Sequence, residues 1–434
     1  MEFETLKKSH KKEILIGAVV FILITIVLIV RASFAKYQTT KNVTIAEGTV
    51  NYKVPDFKIM AMCKNDGAED VEITTMPESG YTINESKSYC NLNGSKDSNA
   101  KLYTDENGNH VISKLTKGDR CYIYFDKSLC SGSACKTILG NVTVNDGTPD
   151  FSKVATTDEG VFKAKDDNGD TYYWRGTVTN NYVKFAGKYW RIIRINGDGT
   201  IRMIYDGTTA RMNGTAFTAD TSAFNADYDK HMSVGFRYTN GEVHGLDTES
   251  TILQKLNTWY TTNLSSYADK IDTNMGFCGD RTPSTSETEI NNSGGTKYVS
   301  TYYGAYIRLI TNKTPSLLCP TEDFYTVSGS SKGNKSLTNP IGLITADEAS
   351  MAGGVFGTVN PYYYLYTGQT YWTMTPMNFS YPGLSYADVF YIRSDEYLYN
   401  MFTNKILGVR PVINLKADTI FTGTGTMSDP YVVV

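Results

Sequence analysis

Asp388, Asp395 and Glu396, near the C-terminal end, are the side chains that come closest to general acid–base chemistry. A carboxyl pair does that work when one member is held protonated beside an ionised partner. Here all three sit in a run dense in Tyr, Asn and Ser, where carboxylates are ordinarily solvated. No catalytic residue is assigned, and the chain is not expected to be an enzyme. It has no H-E-x-x-H, no G-x-S-x-G, no glycine-rich phosphate loop before a helix and no paired His/Cys. Seven cysteines form no C-x-x-C, and His10, His110, His231 and His244 lack metal-ligand spacing, so neither metal nor cofactor is expected. Asp166-Asp167-Asn168-Gly169-Asp170 invites a calcium loop, but it lacks the alternating acidic spacing and the distal Glu, and reads as a solvated turn. What the chain holds in quantity is tyrosine, 32 against 18 Phe. A rigid apolar face with a polar tip suits contact surfaces, although a β-rich fold would favour the same residue.

The elements that must position these residues lie in 370–415. An aromatic run (Tyr371, Trp372) ends at a Thr-Met-Thr-Pro turn, and Gly408-Val409-Arg410-Pro411-Val412-Ile413-Asn414-Leu415 closes the stretch. Apolar residues are sparse between, so we expect a loop-rich, exposed middle held by two buried strands. Phe390, Ile392 and Leu398 have inward spacing, while Tyr391, Arg393, Tyr397 and Tyr399 fall on the opposite parity. With Phe379, Tyr381 and Tyr386 on the loop before, and with Asn400, they form the expected ligand-binding face for a glycan or protein. The competing reading is a Tyr-rich sheet face covered by the same chain. Trp372 is expected in the core, and Arg410 needs a buried carboxylate or carbonyl partner.

Three motifs in this block carry a resemblance: W-x-x-[ST]-P at Trp372, A-x-V-F-x-[VI]-x-S-D from Ala387, and G-V-R-P-V from Gly408. Over 171–434 the chain resembles the C-type-lectin-like fold of the formylglycine-generating-enzyme-like and retroelement variable-protein type. In its order of parts it is similar to exported proteins of gut Bacilli and relatives. The resemblance implies small antiparallel sheets, two helices and long loops, with 377–404 as the region that is diversified in retroelement-linked relatives. Formylglycine-generating enzymes carry two cysteines shortly before their last strand. No Cys follows Cys319 here, so that activity is not carried over.

The remaining parts follow in order. Lys7, Lys8, Lys11 and Lys12 precede an uncharged apolar run at 14–30. This predicts a cytoplasmic tip (1–13), a transmembrane helix (14–30) and an extracellular remainder, with retention favoured over cleavage after Ala35. Short alternating runs in 42–145 predict a β-sandwich spacer, and 146–165 reads as a linker to a ligand-binding head at 166–434. Disulfides are expected at Cys90–Cys121, Cys130–Cys135 and Cys278–Cys319, leaving Cys63 as the thiol that is free or paired between chains. In the head, 172–176 with 182–187, and 189–195 with 200–205, read as hairpins, the second turning at Asn196-Gly197. Helices are predicted at 250–264 and after Thr345, where Thr345 and Glu348 make a capping box and Gly353-Gly354 ends the helix. The loop 276–300 is expected to be exposed. The fold class read from all this is α+β. The function is a membrane-anchored cell-surface binding protein with its ligand on another cell or host surface. The alternative is a matrix or pilus-like subunit that assembles with concentration. Net charge of −3 gives no footprint for nucleic acid.

Overall fold

The computed structural model describes residues 56–434 except 66–68, 78–80, 105–108, 128–131, 210–216, 285–299 and 381–385. The chain is mostly β, about 14% helical, which corrects the α+β expectation. Among the described residues no helix is long and apolar enough to cross a membrane. The run 14–30 lies outside them, and the expected single-pass N-terminal anchor is without support.

Lys58–Asn65 and Arg120–Lys127 run side by side in parallel at the centre of a six-stranded sheet. A separate hairpin, Lys101–Thr104 with His110–Ser113, adds Leu102 to the small core of Met62, Ile83, Ile123 and Phe125. The expected sandwich is therefore a mixed sheet with a two-stranded ribbon. Ser133–Gly140, inside the span expected to be β-sandwich, is a helix. Its Ala134, Cys135 and Ile138 fall on one helical face and join the large C-terminal core, not the small one.

The last part of the expected linker, from Asp158 on, is strand. Asp158–Asp166 pairs along its length with Gly169–Gly176, turning at Gly169, whose φ of 127° suits glycine. These strands belong to a nine-stranded sheet. The expected pairing of 172–176 with 182–187 does not form, because Gly169–Gly176 and Tyr182–Phe185 both pair with Lys188–Ile195. The tight turn at Ala186-Gly187, with φ of 51° and 67°, brings that last strand back. Lys188–Ile195 and Ile201–Tyr205 do form the hairpin read at Asn196-Gly197, and Val412–Leu415 extends it.

Thr251–Asn263 is capped by Ser250 and buries Ile252, Leu253, Leu256 and Tyr260. Ala346–Met351 carries the full Thr345/Glu348 capping box, with Gly353 beyond it at φ 126°. Tyr371–Ser380 does not turn at Thr375-Pro376 but passes through it as one buried strand, with register shifts on both sides of Pro376. A bulge is where a sheet tolerates a residue with no N–H to give. Tyr386–Ile392 and then Leu398–Phe402 pair outward from it. The expected loop-rich middle is thus a packed antiparallel sheet.

Cys90–Cys121 and Cys278–Cys319 are disulfides, as an extracellular protein would have, and Cys63 is free. Cys135 is also disulfide-bonded, while Cys130 lies outside the described residues. Residues 276–284, expected to be exposed, hold the buried Phe277, Asp280 and Arg281, and 285–299 lie outside the described residues. Trp372 is fully buried, its Nε1 donating to the Ser222 carbonyl at 2.9 Å. Arg410 has the buried carboxylate it requires, Asp206 at 2.9 Å.

Candidate ligand cleft

The structure disperses the residues expected to form one face. Phe379 is buried, and so is Tyr391, only 4% exposed, its ring 6.2 Å from Trp372. Tyr386 is half-buried against Phe402 at 4.8 Å. Tyr399 is 38% exposed and stacks on Phe356 at 5.0 Å. Arg393 lies over the rings of Tyr397 and Tyr399, at 5.3 and 5.5 Å, and pairs with Asp395. Asn400 turns its amide to Asp388 Oδ2 at 2.9 Å, and Tyr381 lies outside the described residues. Tyr391 and Tyr399 are direct cross-strand partners, so the parity was read correctly. Parity does not give exposure, however, because the central strand is covered on both faces while the outer one is open.

Asp388 and Asp395 do not form an acid pair. Burial pushes the Asp388 carboxyl up to about 6, against the pull of the Asn400 hydrogen bond, while Asp395 is engaged with Arg393. The Asp166–Asp170 turn is likewise occupied. Asp166 pairs with Arg194 at 2.6 Å, Asp167 accepts from the Cys319 amide, and Asp170 meets Lys163 and Lys165. Arg194 and Arg202 also share Glu348, at 3.0 and 2.6 Å. Burial alone would raise the Glu348 carboxyl, but the two guanidiniums outweigh it and hold it below the usual range. These groups border a void of about 20 Å³, room for one water and no ligand. Among the described residues no group of three or more His, Cys, Asp or Glu could hold a metal ion.

The open concavity lies elsewhere, over Pro361-Tyr362-Tyr363-Tyr364-Leu365-Tyr366. The Asn360 side chain fixes the start of this loop, donating to the carbonyls of Ala155 and Gly353 and accepting from the Tyr362 amide. Tyr364 N donates to the Gly176 carbonyl, and the Leu365 carbonyl accepts from Tyr371 Oη at 2.7 Å and Arg410 Nη1 at 3.2 Å. Tyr366 Oη donates to the Ser394 carbonyl at 2.9 Å, tying the loop to the turn that carries Arg393. So braced, the loop walls a cleft of about 470 Å³. Tyr182, Arg191 and Phe217 line it together with Tyr362, Tyr364 and Tyr366, and Thr177, Thr179 and Thr367 add hydroxyls. Burial raises the Tyr364 phenol far above its ordinary value, against the pull of Arg191, so it stays protonated.

Sequence reasoning missed this cleft, although its signal was present. Four tyrosines in five residues (Tyr362, Tyr363, Tyr364, Tyr366) behind a proline, with no alternation, mark a presenting loop rather than a strand. No protein-family model, no curated protein and no solved structure matches the chain.

Proposed function

We propose that this chain is a ligand-binding protein whose ligand seat is the tyrosine-walled cleft at 361–368, with the Arg393/Tyr397/Tyr399 turn as its flank. The observation that carries this reading is the convergence of Tyr182, Tyr362, Tyr364 and Tyr366 on one open cleft of ligand size. The cleft is pre-formed by hydrogen bonds that do not involve its open face, so little ordering entropy opposes binding. The resemblance to C-type-lectin-like proteins supports the same class of function, with a glycan or protein as ligand and no catalytic step. The test is an array of glycans and peptides probed with the full chain and with Tyr362→Ala. Specific binding that the variant loses is expected. Binding that Tyr362→Ala leaves intact would remove the cleft from the account. A fragment limited to the expected head at 166–434 is not a substitute, because Ala134, Cys135 and Ile138 are part of the same core.

A further inference from the structure

Six arginines are almost fully buried: Arg175, Arg191, Arg194, Arg202, Arg281 and Arg410. Five have a carboxylate against the guanidinium: Glu159, Asp166, Glu348, Asp323 and Asp206 serve Arg175, Arg194, Arg202, Arg281 and Arg410, at 2.6 to 2.9 Å. Arg191 is the exception. It is 1% exposed and has no acidic partner among the described residues.

A buried cation without a counter-charge is costly unless something else neutralises it. Arg191 Nε donates to Asn181 Oδ1 at 2.6 Å and Nη2 to the Val178 carbonyl at 2.8 Å, both neutral acceptors. The guanidinium lies 3.8 Å from the Tyr182 ring centre and 5.2 Å from that of Tyr364, an arrangement that offsets part of the charge and fixes the plane. Nη1 has no acceptor, yet it is not among the atoms sealed away from solvent. Arg191 lines the tyrosine cleft. Nη1, with two N–H groups to give, is thus the charged group available at this site, on the one of these six arginines that lacks a carboxylate.

On these grounds, and resting on the reading of the cleft as a ligand seat, we infer that the cleft takes an acidic sugar, its carboxylate on Arg191 and its ring against the exposed Tyr362. A carboxylate supplies the counter-charge that the other five arginines find within the chain, and a guanidinium already oriented by two hydrogen bonds loses little freedom in accepting it. The apolar face of a pyranose suits a tyrosine ring that is 56% exposed, and Thr177 and Thr367 offer hydroxyls to its periphery. A volume of about 470 Å³ sets the scale at one or two sugar units.

The experiment titrates the full chain with matched pairs: oligogalacturonate against its carboxyl-reduced form, and sialyllactose against lactose. A peptide with a free C-terminal carboxylate is run against its amide as a third arm. At least one acidic sugar should bind about tenfold or more tighter than its neutral counterpart. Arg191→Gln should abolish that preference, Arg191→Lys should keep only part of it, and Tyr362→Ala should weaken both members of the pair. Thermal melts identify any variant that fails to fold, and the acid-to-neutral ratio of the native chain then decides alone. Equal binding of acid and neutral sugars would overturn the inference, as would an acid preference surviving in a folded Arg191 variant. A carboxylate peptide preferred over every acidic sugar would overturn it in favour of a peptide tail. Neutral sugars whose binding depends on Tyr362 would leave the cleft reading standing and reject only the acid. No binding in any arm would reject both.

Discussion

Two stretches of this chain are equally rich in aromatics and are put to opposite uses. In 386–392, Tyr386-Ala-Asp-Val-Phe-Tyr-Ile alternates as a strand should, and the sheet around it buries nearly every side chain on both faces. In 361–368 nothing alternates, the backbone is tied down by Asn360, Gly176 and Tyr371, and Tyr362 stands out 56% exposed at the lip of a cleft. Aromatic content is a similar signal in both. What separates them is whether the backbone is committed to a ladder with neighbours on either side, or is held by side chains and free to present its rings.

The largest effects should come from the buried stretch. Trp372→Ala removes a fully buried indole, leaving a cavity and an unpaired Ser222 carbonyl, at a cost of about 3–5 kcal/mol. Tyr391→Ala, against that same indole, should cost about 3 kcal/mol, and urea denaturation of the two variants measures both. A Tyr391 variant as stable as the parent would mean that this tyrosine is display surface after all. The contrast between the stretches would then collapse.

Elements with local chemistry were legible in the sequence. The hairpin from 189–195 to 200–205, the helix at 250–264, the Thr345/Glu348 box and the Cys90–Cys121 and Cys278–Cys319 pairings each rest on local pattern or on compartment logic, and the structure forms them, although the positive φ of that hairpin loop falls at Gly199 and not at Asn196-Gly197. Arg410's need for a buried carboxylate or carbonyl partner followed from charge alone, and Asp206, 204 residues away, meets it together with the Tyr205 and Leu365 carbonyls. Long-range pairing was not legible. Nothing local says that Gly169–Gly176 should turn back onto Asp158–Asp166, or that Thr375-Pro376 is a bulge and not a stop. Part of the expected face was read as exposed for the same reason: parity assigns a side, and only the neighbours of a strand decide whether that side is covered, as it is at Tyr391.

The second effect in size is a pH dependence inside the buried stretch. Asp388 has no basic partner among the described residues, and burial pushes its carboxyl up to about 6, above the ordinary value near 4. Between those two values the folded chain keeps the proton and the unfolded chain has lost it. Asp388 therefore contributes most below about pH 4, and its contribution falls as pH rises through about 6 and is flat above. The full swing is on the order of 2–3 kcal/mol. Asn378, the cross-strand partner, has a buried Oδ1 with no donor, an acceptor suited to the protonated form. Other carboxylates tilt the curve the opposite way, so the informative quantity is the difference between the parent and Asp388→Asn. In urea midpoints across that range the parent should lose ground relative to the variant. Parallel curves would show that this carboxyl ionises as freely as one on the surface.

The smallest effect on stability should be the most informative about use. Tyr362 reaches solvent over most of its ring, and its amide, not its side chain, anchors the loop to Asn360. Tyr362→Ser keeps that anchor and removes little buried area, so its melt should stay within about 0.5 kcal/mol of the parent. Exposed aromatic rings at the mouth of a cleft are nonetheless where binding energy concentrates, and truncating one commonly costs a factor of ten or more in affinity. The pair of numbers is the test: an unchanged melt with lost binding marks a residue held out for a partner. A melt lowered by several degrees would mean that Tyr362 packs as Tyr391 does, and the two stretches would then differ in backbone but not in purpose.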